Sequence, residues 1–326
     1  MITTIFWIAV IFWLILVFLF FGPKETIDKS LSFEDIKLGD DLDAYLKRVE
    51  AQFTDIKEGQ QKQIIWAGKK GAKTEYAVVY MHGFSASLQE IRPVPDEVAK
   101  SLGANLFFQR MKGHGRPGEA MANVYSNDWL LDFAEAMAIG RRLGKKVIVM
   151  ACSNGCAITT CGLTFPNMVK DLEALVFVAP AYELCNKLSI LGRLSYARHW
   201  AKYVAGKKIG FTPMNEGHAQ YWSYEYPPSA IVPMMRLFAN NDGIDFSAFT
   251  TPVLMMYSPD DKIVSADRIV KTAGFWGANA SLAKLDLTEM DDPERHVIMG
   301  DITSPNQTKP AIKAILEWLE KQGIKG

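Results

Sequence analysis

Residues 147–156 read VIVMACSNGC, and the rest of the chain is interpreted outward from this stretch. A run of apolar residues leads to Ser153, and a segment of helical character follows it. This pattern predicts a buried strand that passes through a tight turn into a helix, with the serine at the turn. Such a turn has room only for small residues two positions before and after the serine, and Ala151 and Gly155 occupy those positions. The stretch therefore predicts Ser153 as a nucleophile held above a sheet.

Strands and helices alternate along the chain on both sides of this turn. Short apolar runs, typical of buried parallel strands, occur at 63–66, 76–81, 104–109, 146–151, 175–179 and 253–257. Helical patterns lie between several of them, at 93–102, 129–143 and 156–165. The alternation predicts a mostly parallel central sheet with right-handed crossovers and helices on both faces.

Two backbone N–H groups are predicted to stabilise a developing oxyanion. The N–H of Asn154 lies at the start of the helix after the nucleophile, where partial positive charge favours an anion. The strand at 76–81 ends at a His-Gly-Phe sequence, and we expect the loop there to supply the second donor through the N–H of Phe84. His82 is expected to brace this loop, and Gly83 to allow close approach of the backbone.

Candidates for the other two members of a catalytic triad follow later in the chain. The strand at 253–257 leads into a turn with two adjacent acids, of which Asp261 is the predicted triad acid and Asp260 the alternative. Of the five histidines, only His296 follows these acids. An acid that orients a catalytic imidazole must hydrogen-bond its far nitrogen. The chain order Ser153, Asp261, His296 is the one expected for a serine presented on a strand–turn–helix of this kind.

From about residue 76 to its C-terminus, the chain resembles α/β-hydrolases, particularly the bacterial carboxylesterase and monoacylglycerol-lipase group. Beyond the triad, the resemblance rests on residues 111–117, MKGHGRP, and on the Asp-Trp pair at 128–129. In that group a G-H-G-x-P stretch follows the third strand, and an Asp-Trp pair opens the next long helix. Ala151 departs from the glycine that is usual in the group. The resemblance implies an α/β-hydrolase fold with a cap inserted in the chain between two strands of the sheet.

The region 182–249 breaks the alternation and is rich in aromatic residues and methionine. It lies between two predicted strands, where a long insertion is tolerated, and the resemblance places the cap here. The predicted domains are thus a core of 60–181 and 250–326 and a helical cap of 182–249. The aromatic and methionine side chains favour an apolar acyl pocket.

The N-terminal residues form a separate unit. Residues 2–21 read ITTIFWIAVIFWLILVFLFF, long enough as a helix to span the roughly 30 Å apolar layer of a bilayer. A basic segment before them and a small-x-small site after them, both expected of a cleavable signal, are not visible. We therefore favour an uncleaved single-pass anchor, 1–22, over a cleaved signal. Lys24 and Lys29 favour a cytoplasmic catalytic domain. Residues 23–59 are predicted to be a helical linker.

Composition limits the classes of ligand. Lysine plus arginine and aspartate plus glutamate both number 36, so no basic excess predicts a nucleic-acid partner. The four cysteines have no zinc-binding spacing, and we expect buried free thiols and no metal site. The triad chemistry requires no cofactor.

These patterns predict a membrane-anchored serine hydrolase of carboxylic esters, with acyl esters or monoacylglycerol-like lipids as substrates. An aminopeptidase of the proline-iminopeptidase type remains open, because Glu183, Glu216 and Glu225 could hold a substrate amine. An acyltransferase or thioesterase on the same fold also remains open. The alternative from another class is a catalytically silent, membrane-tethered binding protein.

Overall fold

A seven-stranded sheet forms the centre of the protein in the computed structural model, which describes residues 2–31, 36–277 and 280–326. The strands are, in chain order, β1 (Gln63–Ile65), β2 (Thr74–Met81), β3 (Asn105–Phe108), β4 (Gly144–Cys152), β5 (Leu172–Val178), β6 (Ile209–Gly210), β7 (Glu225–Tyr226), β8 (Val253–Tyr257) and β9 (Ala280–Lys284). The sheet order is β1-β3-β2-β4-β5-β8-β9, with β1 antiparallel and the other pairs parallel, while β6 and β7 pair separately. The predicted mostly parallel sheet is confirmed.

The helices of the described residues connect these strands. They are α1 (Ile2–Phe21), α2 (Leu42–Glu50), α3 (Val94–Ser101), α4 (Ser126–Leu143), α5 (Asn154–Gly162), α6 (Ala197–Ala205), α7 (Glu216–Tyr221), α8 (Val232–Asn241), α9 (Ala266–Phe275) and α10 (Pro305–Lys321). Short 3-10 helices span Gly118–Asn123, Lys187–Arg193, Pro228–Ile231 and Phe246–Ala248. The predicted anchor, linker and core ranges include residues 1, 32–35 and 278–279, which lie outside the described residues.

Alternate residues of each strand pack on opposite faces of the sheet, because side chains point to the two faces in turn. On one face, Val79 and Val149 pack with side chains of α2, α4, α5, α8 and α9. On the other face, Val78 and Ile148 pack with side chains of α3 and α10. Helices therefore cover both faces, and the central strands β2, β4 and β5 are buried along most of their length.

The insertion between β5 and β8 divides into two parts. Its last helix, α8, packs against α4 and α5, and its Met234, Met235 and Phe238 join the hydrophobic core on that face of the sheet. The preceding part, up to the 3-10 helix Pro228–Ile231, carries exposed apolar side chains, among them Leu188 and Tyr203. The methionines of α8 are thus packing residues of the sheet domain.

Helix α1 is long and apolar enough to cross a membrane, and none of the residues from Thr3 to Phe21 is buried. Its C-terminal end contacts the insertion. The carbonyl of Leu19 accepts a hydrogen bond from the N–H of Ser195 (2.8 Å), and the carbonyl of Gly22 accepts one from the Ser195 hydroxyl (2.6 Å). The rings of Phe18 and Tyr196 stack at 4.3 Å. The apolar helix is therefore joined to the domain at one end.

Helix α2 packs on the sheet domain through buried Leu42 and Leu46. At its end, the carboxylate of Glu50 accepts two hydrogen bonds from the Arg110 guanidinium, at 2.9 and 2.7 Å, and both side chains are buried. This paired contact joins the segment that follows the apolar helix to the residues just after β3.

Substitution of two glycines tests the tightness of the turn after β4. A Cβ on Gly155 would collide with the backbone carbonyls of Met81 and His82, whereas a Cβ on Gly274 in α9 would meet nothing within 4 Å. We expect Gly155→Ala to lower the free energy of unfolding by about 1–3 kcal/mol or more, as overpacked cores do. Gly274→Ala, the matched control, should raise it by about 0.5–1 kcal/mol. Thermal unfolding of the full chain in detergent measures both, and a Gly155→Ala variant as stable as the wild type would contradict the packing.

Candidate active site

Ser153 is the single residue between β4 and α5, and its backbone is held at φ 49° and ψ −114°. A residue other than glycine adopts such a conformation only where its surroundings enforce it. Its N–H donates to the carbonyl of Val178 on the neighbouring strand (2.9 Å). On the other side, Gly155 lies against the backbone at the end of β2. The turn thus presents Ser153 between the ends of β2 and β5.

A chain of hydrogen bonds joins the predicted serine, histidine and aspartate. The Oγ of Ser153 lies 2.9 Å from Nε2 of His296, and Nδ1 of His296 lies 2.8 Å from Oδ2 of Asp261. The other oxygen of Asp261 accepts from the N–H groups of Ile263 and Val264. Asp260, the alternative acid, is exposed to solvent. The structure therefore brings Asp261 to the imidazole.

The loop that carries His296 is held by a second buried acid, which the sequence analysis did not single out. Oδ2 of Asp292 accepts from the N–H of His296 (3.0 Å) and from that of Val297 (2.8 Å). Ser304 closes the loop, since its hydroxyl donates to the carbonyl of Val297 and accepts from the N–H of Asp292. An acid four residues before the histidine is the only signal the sequence offers for this role.

The pKa of His296 reflects opposing effects. Burial favours the neutral imidazole and lowers the pKa. The charge and hydrogen bond of Asp261, together with the charges of Asp292 and Glu90, outweigh burial and raise the pKa of His296 above its ordinary 6.5. Since Asp261 accepts a hydrogen bond from the N–H at Nδ1, Nε2 of the neutral ring is free to accept the proton of Ser153.

Two neutral histidines brace the loop after β2. Nδ1 of His82 donates to the carbonyl of Gly83 (2.8 Å), and its Nε2 accepts from the N–H of Met111 (3.1 Å). Burial lowers the pKa of His82 to about 4. Nε2 of His114, from the G-H-G stretch, accepts from the N–H of Ser85 (3.0 Å), and burial lowers the pKa of His114 well below its ordinary value. Both rings therefore act as fixed hydrogen-bonding groups at neutral pH.

The Phe84 N–H, predicted to stabilise an oxyanion, lies between two backbone N–H groups that already donate hydrogen bonds. The N–H of Gly83 donates to Glu90 and that of Ser85 to His114. Within the described ranges, neither the Phe84 N–H nor the Asn154 N–H has an intramolecular acceptor. Both predicted donors are thus available to a ligand, and Glu90 is a buried acid that the sequence analysis missed.

The two cysteines nearest to the serine in the chain are not candidates for the nucleophile. Cys152 and Cys156 are buried, and burial raises the pKa of each thiol well above its ordinary value, so neither is a thiolate at neutral pH. Across the described part of the chain, no group of three or more metal-ligating side chains is arranged to hold an ion. A serine whose proton a neighbouring imidazole can accept suits nucleophilic attack on an acyl carbon.

Known proteins resemble this chain in fold at low sequence identity. No protein-family model matches it, and no curated protein matches it significantly. The structure of a metagenome-derived lipolytic enzyme is similar, with 18% identity, a TM-score of 0.65, and coverage of 82% of this chain and 99% of that one. A soluble variant of the Saccharomyces cerevisiae monoglyceride lipase has 16% identity and a TM-score of 0.60, covering 80% and 91%. A Paleococcus ferrophilus monoacylglycerol lipase has 11% identity and a TM-score of 0.57, covering 80% and 98%. The chain therefore has the α/β-hydrolase fold.

The raised pKa of His296 gives a pH dependence for the reactivity of Ser153. An imidazolium cannot accept the serine proton, so the rate of Ser153 labelling by a fluorophosphonate should rise with pH through a midpoint above 6.5. Asp261→Asn removes the charge that raises the pKa, and the midpoint should move down. Labelling rates measured from pH 5 to 9, a range set by the ordinary His pKa, test both statements. A wild-type midpoint at or below 6.5 would contradict them.

Proposed function

We propose that the chain hydrolyses carboxylic esters, with Ser153 as nucleophile, His296 as general base and then general acid, and Asp261 as the acid that orients the imidazole. The observation that carries the proposal is the hydrogen-bonded chain from Ser153 Oγ through His296 to Asp261, at 2.9 and 2.8 Å. A serine, a base and an acid within hydrogen-bonding distance form the recognised arrangement for acyl transfer.

The proposed reaction has two steps. His296 Nε2 takes the proton of Ser153 as Oγ attacks the ester carbonyl, and the N–H groups of Phe84 and Asn154 donate to the resulting oxyanion. His296 then protonates the leaving alcohol as the acyl-enzyme forms. In the second step water attacks the acyl-enzyme, His296 takes the proton of the water, and Ser153 regains its proton as the carboxylic acid leaves.

We further propose that α1 is retained as a membrane anchor. Removal of α1 as a signal would take away the Leu19 carbonyl, to which the N–H of Ser195 donates, and the Phe18 ring that stacks on Tyr196. A hydrogen bond contributes about 0.5–1.5 kcal/mol, so these contacts favour a helix that stays attached. Lys24 and Lys29 follow the helix and favour a cytoplasmic catalytic domain.

The anchor and the insertion together support an acyl ester or monoacylglycerol as the substrate class. The contacts of Ser195 and Tyr196 with α1 put this part of the insertion where the helix would leave the bilayer. Side chains next to these contacts in the chain are apolar and exposed, with 72% exposure for Leu188, 80% for Tyr203 and 70% for Val204. Exposed apolar and aromatic side chains of this kind suit a lipid interface. Residues 182–231 are therefore the proposed cap.

An aminopeptidase receives less support than an esterase. Glu183 is in an ion pair with Lys187, and Glu225 with Lys208, so two of the three acids available for a substrate amine are already neutralised. An acyltransferase or thioesterase would use the same three residues, and the identity of the acceptor distinguishes them. A silent binding protein would not react with a fluorophosphonate at Ser153.

Substitution of the nucleophile tests the proposal directly. Ser153→Ala should lower kcat toward short p-nitrophenyl esters to below about one thousandth of wild type, because the acyl-enzyme cannot form. Exposed Ser101 in α3 provides the matched control, and Ser101→Ala should keep wild-type activity. Full esterase activity in Ser153→Ala would refute the mechanism. Hydrolysis of aminoacyl amides without any ester hydrolysis would instead favour the aminopeptidase.

The contact between anchor and insertion should matter for substrates in a bilayer. Tyr196→Ala removes the ring that stacks on Phe18, so the insertion should sit less firmly on the membrane. We expect several-fold slower hydrolysis of a long-chain monoacylglycerol in vesicles that contain the full chain. Hydrolysis of a soluble short-chain ester should be unchanged. Tyr224→Ala, at an exposed tyrosine of the same insertion, is the control. Equal losses on both substrates in Tyr196→Ala would count against membrane docking.

A further inference from the structure

Glu90 lies in the segment between β2 and α3, eight residues after His82, and only 2% of it is exposed. Burying a carboxyl group is unfavourable unless hydrogen bonds compensate. Burial raises the pKa of Glu90 accordingly, while hydrogen bonds from its neighbours lower it. An acid at this depth needs an explanation beyond the packing of the sheet.

Two donors, one from β2 and one from the loop after it, meet the Glu90 carboxylate. Its Oε2 accepts from the N–H of Gly83 (2.7 Å) and from the hydroxyl of Tyr80 (2.8 Å). Tyr80 belongs to β2, which pairs in the sheet with β4, the strand that leads to Ser153. Glu90 therefore ties the loop after β2 to the strand on which that loop is built.

The contact with Gly83 is close to the reacting serine. A Cβ on Gly83 would collide with Oε1 of Glu90 on one side and lie 3.2 Å from Cβ of Ser153 on the other. One glycine thus separates Glu90 from the proposed nucleophile. A change in the position of the Glu90 carboxylate would be passed directly to the loop that faces Ser153.

The direction of the Phe84 N–H depends on its neighbours. Glu90 holds the preceding peptide through the N–H of Gly83, and His114 holds the following one through the N–H of Ser85. With both neighbours fixed, the Phe84 N–H is left without an acceptor among the residues that the structure describes. Preorganised donors of this kind need no reorganisation when charge develops on the substrate oxygen.

We propose that Glu90 is a positioning residue that, by hydrogen-bonding the Gly83 N–H, holds the Phe84 N–H in the direction required to stabilise the oxyanion. This inference rests on the ester hydrolysis proposed above. In this proposal Glu90 acts because its side chain is long enough to accept a hydrogen bond from the Gly83 N–H. Its negative charge near His296 is not required.

Two conservative variants separate these roles. Glu90→Gln keeps the length of the side chain and an oxygen that can accept from Gly83, but it loses the charge. Glu90→Asp keeps the charge, but its carboxylate is one methylene too short. We expect Glu90→Gln to keep kcat within about threefold of wild type and Glu90→Asp to lower it about 10- to 10²-fold, less than or equal to the loss of one whole oxyanion donor. The KM for a short p-nitrophenyl ester should change little in either.

A tetrahedral inhibitor gives a second readout that a merely structural role would not move. A boronic acid forms a tetrahedral adduct on Ser153 that uses the oxyanion donors, so its Kd should rise in Glu90→Asp by a factor similar to the loss in kcat. Glu135→Gln is the matched control, because Glu135 is also a buried acid that accepts from a tyrosine hydroxyl, that of Tyr45, but it lies in α4 away from Ser153. This control should lower the melting temperature and leave kcat and the boronic acid Kd unchanged.

The outcomes are distinct. If Glu90→Asp keeps kcat, the positioning role is wrong, and a loss of kcat in Glu90→Gln alone would show that the charge of Glu90 matters instead. If Glu90→Gln loses as much as Glu90→Asp, an acceptor of the right length is not sufficient, and the positioning role is wrong as well. If both variants melt at lower temperature with unchanged kcat and inhibitor Kd, Glu90 is only structural. If the wild type itself hydrolyses no ester, the proposed function fails independently of Glu90.

Discussion

The backbone of Ser153, at φ 49° and ψ −114°, is the constraint on which the rest of the site depends. A conformation of this kind costs on the order of 1–3 kcal/mol and persists only where the surroundings over-determine it. Here β4 is paired on both sides, with Ala151 in register between Met81 and Phe177, and the strand cannot relax at its end. Gly155 lets the first turn of α5 lie against the end of β2. The strain is therefore borne by the most buried part of the sheet.

Around this rigid serine, the loops are positioned by buried acids more than by regular secondary structure. Asp261 accepts two backbone N–H groups in its own turn, Asp292 accepts three in the loop of His296, and Glu90 accepts one in the loop of Phe84. An ionised carboxylate only accepts hydrogen bonds, and each oxygen can take more than one. One acid can therefore fix adjacent peptides in a loop and orient the functional group next to them.

Local patterns predict the sheet, and they single out the three residues that the structure joins by hydrogen bonds, because both leave their signal within a few residues. The strand predicted at 253–257 has the same bounds as β8, and Ser153 lies at the predicted strand–helix turn. Strand β9 was not predicted, since it lies at the edge of the sheet and each of its residues is half-buried or exposed. The positions of Glu90 and Asp292 follow from contacts between loops that are distant in sequence, and no periodicity marks such contacts. The position of α8 could not be predicted either, because a methionine-rich sequence is equally compatible with a cap and with the core of the sheet domain.

The insertion links the apolar helix α1 to the candidate site by direct contacts. At one end, Ser195 and Tyr196 hold the end of α1. At the other, the N–H of Ser223 donates to the carbonyl of Ser85 (2.7 Å), and the ring of Tyr226 packs edge-on to that of Phe84 at 5.1 Å. Phe84, which is proposed to donate to the oxyanion, is therefore held by Glu90 through Gly83 and is also contacted by the insertion. If α1 spans a bilayer, the segment that it anchors is also the segment that packs on the Phe84 loop. An acyl ester leaving the bilayer beside α1 would then meet the insertion before it meets Ser153, which fits the ester hydrolysis proposed for this site.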